Sequence, residues 1–309
     1  MHMGWDINSH GGLDGKGGDA ALPRAPTGKR QGKGPAAEAC PSKNRELAEE
    51  VVEADLDRPE SLKAAFEGAY GVFLVTNFWE EGTDEFKQAT AAVRAAKEAG
   101  VQHFVWSTLP NVEAISGGKP HVPHFTGKAK IDWIVKKASF AHHTFVIAPF
   151  FYQNFVGALA PQKQEDGNLG WALPLDPDVR CIHMGDITEL GDLVAGAFGH
   201  PDEPGNGEHL PLVGDFMSFN EIVDTLKRQG HKISFKQVPT DVFATSFPGA
   251  AEVAGTFSYF QVHTYLGPGP HDEIALVNKI AGRQASRFAM WAQVNFPAQK
   301  TDAESGVAA

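Results

Sequence analysis

From Glu46 onward the sequence alternates short apolar runs with amphipathic segments, and this alternation limits the fold more than any other feature. Gly71-Val-Phe-Leu-Val-Thr76 is a continuous apolar run, typical of a strand buried on both faces of a parallel sheet. His103-Phe-Val-Trp-Ser107 and Thr144-Phe-Val-Ile-Ala148 repeat the pattern. Such strands, separated by helices, predict right-handed βαβ units in a doubly wound α/β sheet.

The segments between these strands carry helix signals. Pro59 lies near the first turn of one predicted helix, and a second runs from Thr83 to Ala99 and stops at Gly100. A third passes through residues 131 and 133. Glu50-Val-Val-Glu-Ala-Asp55 predicts one further strand, which ends on a carboxylate.

Residues 1 to about 45 have a different composition. Their aliphatic residues are Ile7, Leu13 and Leu22, and the stretch is rich in Gly, Pro, Lys and Arg. Such a segment buries too little apolar surface to offset its ordering entropy. We therefore expect a disordered tail ahead of one domain over residues 46–309.

Charge and cysteine content exclude several classes of protein. A formal net charge of −11 argues against direct binding of nucleic acid, which relies on clustered Lys and Arg. The two cysteines, Cys40 and Cys181, do not form a CxxC motif, so a reducing compartment is expected. Without a signal peptide or a membrane-length apolar run, the sequence predicts a cytoplasmic protein, with the nucleus as a further location.

The second half of the chain predicts a smaller lobe. Ser218-Phe-Asn-Glu221 is a capping box that opens a helix. The aromatic runs Phe257-Ser-Tyr-Phe260 and Phe288-Ala-Met-Trp291 suggest packing over the sheet. We expect a small C-terminal α/β lobe formed by residues of about 160–180 and 205–309.

Ligands of doubly wound sheets bind at the carboxyl ends of the strands. One crevice is therefore expected to bring together Asp55, Thr76-Asn77-Phe78, Ser107-Thr108 and Pro149-Phe-Phe-Tyr152. The histidines at 121, 124, 142 and 143 have no Cys, Asp or Glu at ligand spacing, so no metal site is predicted.

Five blocks of sequence, in order, resemble the NmrA-like family of atypical short-chain dehydrogenases. They are DLDRPESLKAAFEGAYGVFLVTNFW, HFVWSTLPN, PHFTGK, APFFYQNF and FPGAAEVAGTFSYF, within residues 46–297. The resemblance implies a Rossmann-like domain that binds NADP(H). The family carries His124-Phe-x-x-Lys128 where true dehydrogenases carry Tyr-x-x-x-Lys. It includes regulators of nitrogen repression and redox sensors.

The resemblance also assigns residues to the cofactor. Lys128 would hold the ribose, and the other implied contacts are Asp55, Leu56, Thr76, Asn77, Phe78, Phe151, Tyr152, Gln153 and Asn154. Ser107 is added to the cofactor contacts because of its position at a strand end. His124 and Tyr152 are the candidate proton donors. The alternatives are a solvated lysine at 128, a helix-capping carboxylate at 55 and aromatic core packing at the strand ends.

The N-terminus departs from the family pattern, which opens with a strand and a glycine-rich phosphate loop. Gly12, Gly15 and Gly18 have the spacing, but no apolar strand precedes them and Pro23 and Pro26 interrupt the following helix. In the usual strand order, two missing strands leave a gap beside the strand at Val72. Either the crevice is rebuilt by other means or the first 45 residues are not the natural start.

Three functions remain open at the level of sequence. The first is an NADP(H)-binding redox sensor that acts through a protein partner such as a transcription regulator, with weakened cofactor binding and with a homodimer as an expected assembly. The second is an NADPH-dependent reductase. The third is a truncated product that binds nothing.

Overall fold

The chain folds around a mostly parallel sheet, shown in a computed structural model that describes residues 52–164, 167–204, 206–269 and 271–297 and the backbone of Ala20–Ala21. The strands are β1 (Ala20–Ala21), β2 (Gly71–Leu74), β3 (His103–Thr108), β4 (His142–Ile147), β5 (Phe150–Phe151), β6 (Gln162–Lys163), β7 (Leu169–Leu173), β8 (Ile182–Gly185), β9 (Asn206–Pro211), β10 (Asp215–Met217) and β11 (Ile233–Gln237).

The helices lie between these strands or follow them. They are α1 (Pro59–Phe66), α2 (Glu85–Glu98), α3 (Val112–Ser116), α4 (Pro123–Ala138), α5 (Leu190–Gly199), α6 (Phe219–Arg228), α7 (Thr240–Phe243), α8 (Ala250–His263), α9 (Glu273–Ile280) and α10 (Phe288–Asn295), with short 3-10 helices at Tyr152–Val156 and Ile187–Glu189.

The central sheet has the strand order β1-β2-β3-β4-β9. Strands β2, β3, β4 and β9 are parallel, and β1 pairs antiparallel with β2. Successive residues of a strand point to opposite faces, so Phe104 and Trp106 enter one core while Val105 enters the other. Helices α1, α2 and α4 cover the first face, and α5 and α9 cover the second. The predicted doubly wound α/β architecture is confirmed.

The N-terminal side of the sheet differs from expectation. The predicted strand over residues 50–55 is wrong for residues 52–55, which have no regular secondary structure, and residues 50 and 51 lie outside the described part. Ala20 and Ala21 pair with Leu74 and Phe73, so β1 occupies the edge of β2 where the expected gap would begin. The predicted tail over residues 1–45, including Gly12, Gly15 and Gly18, otherwise lies outside the described residues.

Helix termini follow the capping signals. The carboxylate of Asp84 accepts a hydrogen bond from the backbone of Lys87 at the start of α2. At the start of α6, Ser218 and Glu221 form the predicted capping box, in which each side chain bonds to the other residue's backbone. These caps fix where the two helices begin.

The later part of the chain forms a second core beside the carboxyl ends of the sheet. Two small sheets, β10-β8-β5 and β11-β7-β6, contribute to it together with α6, α8 and α10. Large aromatic side chains such as Phe155, Phe219, Phe257 and Phe288 fill its centre. Strand β9 lies in the part of the chain, residues 205–309, that was expected to form the C-terminal lobe, but it belongs to the central sheet. No helix among the described residues has the length and apolar character needed to cross a membrane.

Candidate functional site

A cavity lies between the carboxyl ends of β2, β3 and β4 and helix α8 of the second core. Its volume is about 90 Å³. This is below the ~300–1,000 Å³ of sites that enclose a whole drug-sized ligand, so the cavity as it stands has room for only a small group. Its walls are mainly apolar and are formed by Phe78, Trp79, Leu109, Phe125, Ala148, Pro149, Phe150, Phe151, Phe260 and Tyr265.

The structure brings together eight residues that were assigned to the site from sequence. They come from the ends of β2 and β3, the first turns of α4 and the segment after β4. These residues are Thr76, Asn77, Phe78, Ser107, His124, Lys128, Phe151 and Asn154. Strand ends and one helix start therefore meet at a single cavity, as expected for a parallel sheet.

Asp55 and Leu56 do not line this cavity. The Asp55 carboxylate accepts hydrogen bonds from the backbone of Asp57 and from the side chain of Arg58, both at 2.9 Å. The backbone hydrogen bond, and then Arg58, hold the pKa of Asp55 below its ordinary value. Leu56 is buried in the core against α1 and α2. These contacts fix the turn before α1.

Tyr152 and Gln153 also lie away from the cavity lining. The Tyr152 hydroxyl donates to the carbonyl oxygen of Ser286 at 3.0 Å and lies 3.4 Å from Oδ2 of Asp215. Burial, followed by the Asp215 charge, raises the pKa of Tyr152 far above its usual range. Gln153 bonds to Asp186 at 2.6 Å. Neither side chain is placed to act on a ligand in the cavity.

Lys128 is buried and fully engaged. Its Nζ donates to Oε1 of Glu85 at 2.7 Å, to the carbonyl oxygen of Thr76 at 2.6 Å and to the Thr76 hydroxyl at 3.1 Å. The Thr76 hydroxyl in turn donates to Glu85 at 2.6 Å. Burial lowers the pKa of Lys128, while the Glu85 carboxylate acts in the opposite direction. A ribose contact would require Lys128 to exchange one of these three bonds.

His124 is held by a carboxylate from the second core. Its Nδ1 lies 2.6 Å from Oε1 of Glu252, in the first turn of α8. The ring also packs against Phe78, Trp79 and Phe125, with centroid distances of 5.8, 5.2 and 4.8 Å. An imidazole restrained in this way has one orientation and one free nitrogen.

Three polar groups of the cavity lining have spare hydrogen-bonding capacity. Within the described ranges, Nε2 of His124, the hydroxyl of Ser107 and the side-chain amide of Asn154 have no hydrogen-bond partner. A mostly apolar cavity with a few unpaired polar groups is suited to a flat ring that carries a polar substituent. The nicotinamide end of a dinucleotide has this form. No group of three or more His, Cys, Asp or Glu suited to a metal ion occurs in the part of the chain described.

Glu85 and Glu252 were missed from sequence. Glu85 follows the cap of α2, where an acidic residue is ordinarily explained by the helix dipole. Glu252 lies within the block FPGAAEVAGTFSYF but carries no spacing signal to His124, which is 128 residues away. The one available signal for Glu252 was its position in that block.

Comparison with known proteins agrees with this architecture. The model of the NmrA-like family matches residues 36–294. An NmrA-like family domain-containing protein of Dictyostelium discoideum is 29% identical over 223 residues, which cover 69% of this chain and 72% of that protein. An oxidoreductase with an NmrA-like domain, himF of Aspergillus japonicus, is 27% identical over 76% of this chain and 77% of its own length.

A solved structure shows the same fold. The crystal structure of NmrA, a negative transcriptional regulator, in complex with NADP has a TM-score of 0.65 and 20% identity, and the similarity covers 78% of each chain. At that identity the likeness concerns the fold alone. The family match spans most of the chain, from before β2 to the last helix. This chain therefore belongs to the NmrA-like family.

Proposed function

We propose that this protein is an NADP(H)-binding redox sensor that receives the nicotinamide end of the cofactor in the cavity and acts through a protein partner such as a transcription regulator. The observation that carries the proposal is the grouping of Ser107, His124 and Asn154, with unpaired polar groups, in an apolar cavity at the strand ends. The structurally similar protein solved with NADP, NmrA, is a negative transcriptional regulator, which is in keeping with a regulatory output.

Two residues on which a reductase would depend favour a sensor over an enzyme, the proton donor and the ribose-binding lysine. A histidine occupies the position of the phenolic acid, and the ammonium of Lys128 is already neutralised by Glu85. Tyr152, the other candidate proton donor, is hydrogen-bonded to Ser286 outside the cavity lining.

We expect the affinity for NADP(H) to be weaker than low micromolar. Anchoring of a dinucleotide depends strongly on backbone amides around its pyrophosphate. The cavity would take the nicotinamide end alone, and the glycine-rich spacing at residues 12–18 is followed by Pro23 and Pro26, which interrupt the helix that a phosphate loop requires.

Calorimetric titration with NADPH and NADP⁺ tests the proposal. Ala148→Phe should abolish binding, because this buried residue lines the cavity and the larger side chain would fill it. Val262→Phe is the matched control, because Val262 is 75% exposed on α8 and outside the lining. Binding that survives Ala148→Phe, or no binding at millimolar cofactor by the wild type, would contradict the proposal.

The contact between His124 and Glu252 supports a second candidate, an NADPH-dependent reductase. NADPH, when bound, supplies a hydride. The chain's own part would be to donate a proton from Nε2 of His124, in its doubly protonated form with Nδ1–H held by Glu252, to the oxygen of a carbonyl in the cavity. Steady consumption of NADPH with an aldehyde, ketone or quinone, lost in His124→Ala even when NADPH saturates the variant, would establish this function. We expect no such turnover from the sensor.

A further inference from the structure

The side chains of His124 and Glu252 connect the two cores of the molecule at the cavity. Nδ1 of His124 lies 2.6 Å from Oε1 of Glu252, and the backbone N–H of His124 donates to the same oxygen at 3.4 Å. The two side chains are 10% and 20% exposed. The carboxylate of Glu252 therefore accepts from both Nδ1 and the backbone N–H of His124. The contact is largely shielded from solvent, and a shielded hydrogen bond is stronger than one in open water.

This arrangement determines which ring nitrogen carries the proton of neutral His124. An ionised carboxylate only accepts hydrogen bonds, so the contact requires a proton on Nδ1. Nε2 is then left with its lone pair and, among the described residues, has no hydrogen-bond partner. Trp79 and Phe78 restrain the ring beside this contact. Glu252 thus contacts a residue of the cavity lining without lining the cavity itself.

We propose that Glu252 is a positioning residue that holds His124 in the Nδ1-protonated form, so that Nε2 faces the cavity and accepts a hydrogen bond from an N–H or O–H group of the ligand. The proposal rests on the proposed function for the identity of that donor, which is the carboxamide N–H of the nicotinamide end. It does not require catalysis, because the same contact serves recognition in a sensor.

The tautomer can be measured without any ligand. Nitrogen NMR of the histidine side chains, at a pH where the ring is neutral, should show His124 protonated at Nδ1 in the wild type. Glu252→Ala removes the acceptor and should shift His124 towards the Nε2-protonated form. Glu252→Gln retains a side-chain oxygen that can accept from Nδ1 and should preserve the wild-type tautomer. The tautomer reports the contact itself, and the ligand probes described below distinguish positioning of His124 from a merely structural tie between the cores.

A second His–Glu contact provides the matched control. Nδ1 of His271 lies 3.1 Å from Oε1 of Glu273, and neither residue lines the cavity. Glu273→Gln should leave the His124 signals unchanged. Circular dichroism of each variant shows whether it folds, and the Gln variant at 252 keeps the test decisive if the Ala variant does not.

Recognition is tested with two small probes that differ in one donor. Nicotinamide has an N–H group, and methyl nicotinate has the same ring without that donor. The wild type should bind nicotinamide roughly two- to tenfold more tightly, the range expected for one neutral hydrogen bond. Glu252→Ala should lose this preference and Glu252→Gln should keep it.

The outcomes separate this inference from the proposed function. Nε2-protonated His124 in the wild type, an unchanged tautomer in Glu252→Ala, or equal binding of the two probes overturns the inference. If the tautomer responds as expected but nicotinamide, methyl nicotinate and NADPH all fail to bind, the proposed function fails, while the control of His124 by Glu252 is supported.

Discussion

Nζ of Lys128 lies 2.7 Å from Oε1 of Glu85, and each side chain is only 7% exposed. With Thr76 supplying two further acceptors, all three donors of the ammonium are satisfied inside the protein. The pair links α2 to α4 at the end of β2. Its first consequence is for stability, because removing one partner leaves the other charge buried and unpaired.

Lys128→Met should therefore lower the free energy of unfolding by about 3–5 kcal/mol, the range for breaking a buried ion pair. Urea denaturation measures the loss. Lys130→Met is the matched control on the same helix, because its partner Glu113 and Lys130 itself are both more than half exposed, and it should change the stability far less than Lys128→Met. The double variant Lys128→Met/Glu85→Gln should recover part of the loss. Equal, small effects at both lysines would contradict the assignment.

Tyr152→Phe separates the two proton-donor candidates. It removes the hydrogen bond to Ser286 and should cost about 1 kcal/mol of stability, but NADP(H) binding and any turnover should be unchanged. His124→Ala should weaken NADP(H) binding, because it removes a group that lines the cavity. Calorimetry and NADPH absorbance measure both variants. A loss of cofactor affinity in Tyr152→Phe would place its hydroxyl at the ligand.

Gly196 marks the close approach of α5 to α9. A Cβ at this position would lie 2.1 Å from the carbonyl oxygen of Ile280, so Gly196→Ala should destabilise by about 1–3 kcal/mol through overpacking. Gly191 lies in the same helix, but a Cβ there would point into open space with no neighbouring atom within 4 Å, and Gly191→Ala should stabilise by about 0.4–1 kcal/mol. Thermal unfolding of the two variants should give shifts of opposite sign.

Because two histidines are buried, we expect mild acid to destabilise the protein. Burial lowers the pKa of His103 to about 4 and that of His183 to about 3, and neither Nδ1 has a hydrogen-bond partner. The unfolded chain binds these protons near pH 6.5 whereas the folded chain does not, so stability is present above that pH and is lost as the pH falls. Each histidine should lower the free energy of unfolding by about 2 kcal/mol between pH 7 and pH 5. Urea denaturation midpoints measured across this pH range test the prediction. His183→Phe should reduce the dependence of the midpoint on pH.

The sequence was sufficient to predict three neighbouring strands of the sheet, β2, β3 and β4, and much of the cavity. Apolar runs at β2, β3 and β4 carry a strong strand signal, and the ends of parallel strands meet, so Thr76 and Ser107 could be placed together. Burial of Glu85 could not be predicted, because it depends on how α2 is rotated about its axis when it packs. The strand predicted over residues 50–55, which is wrong for residues 52–55, was inferred from composition, and composition does not show whether a neighbouring strand is there to pair with.

The cavity is closed by contacts between distant parts of the chain. The hydroxyl of Tyr265 donates to the carbonyl oxygen of Ala148 across 117 residues of sequence, and Glu252 reaches His124 across 128. Closing such long loops lowers the conformational entropy of the chain before the contacts between their ends can stabilise it. During synthesis on the ribosome, β2, β3 and β4 emerge well before α8, so we expect a nascent chain to form its sheet while it still lacks the site. A ligand that binds only the closed cavity would then stabilise the complete chain but not a shortened chain that lacks α8.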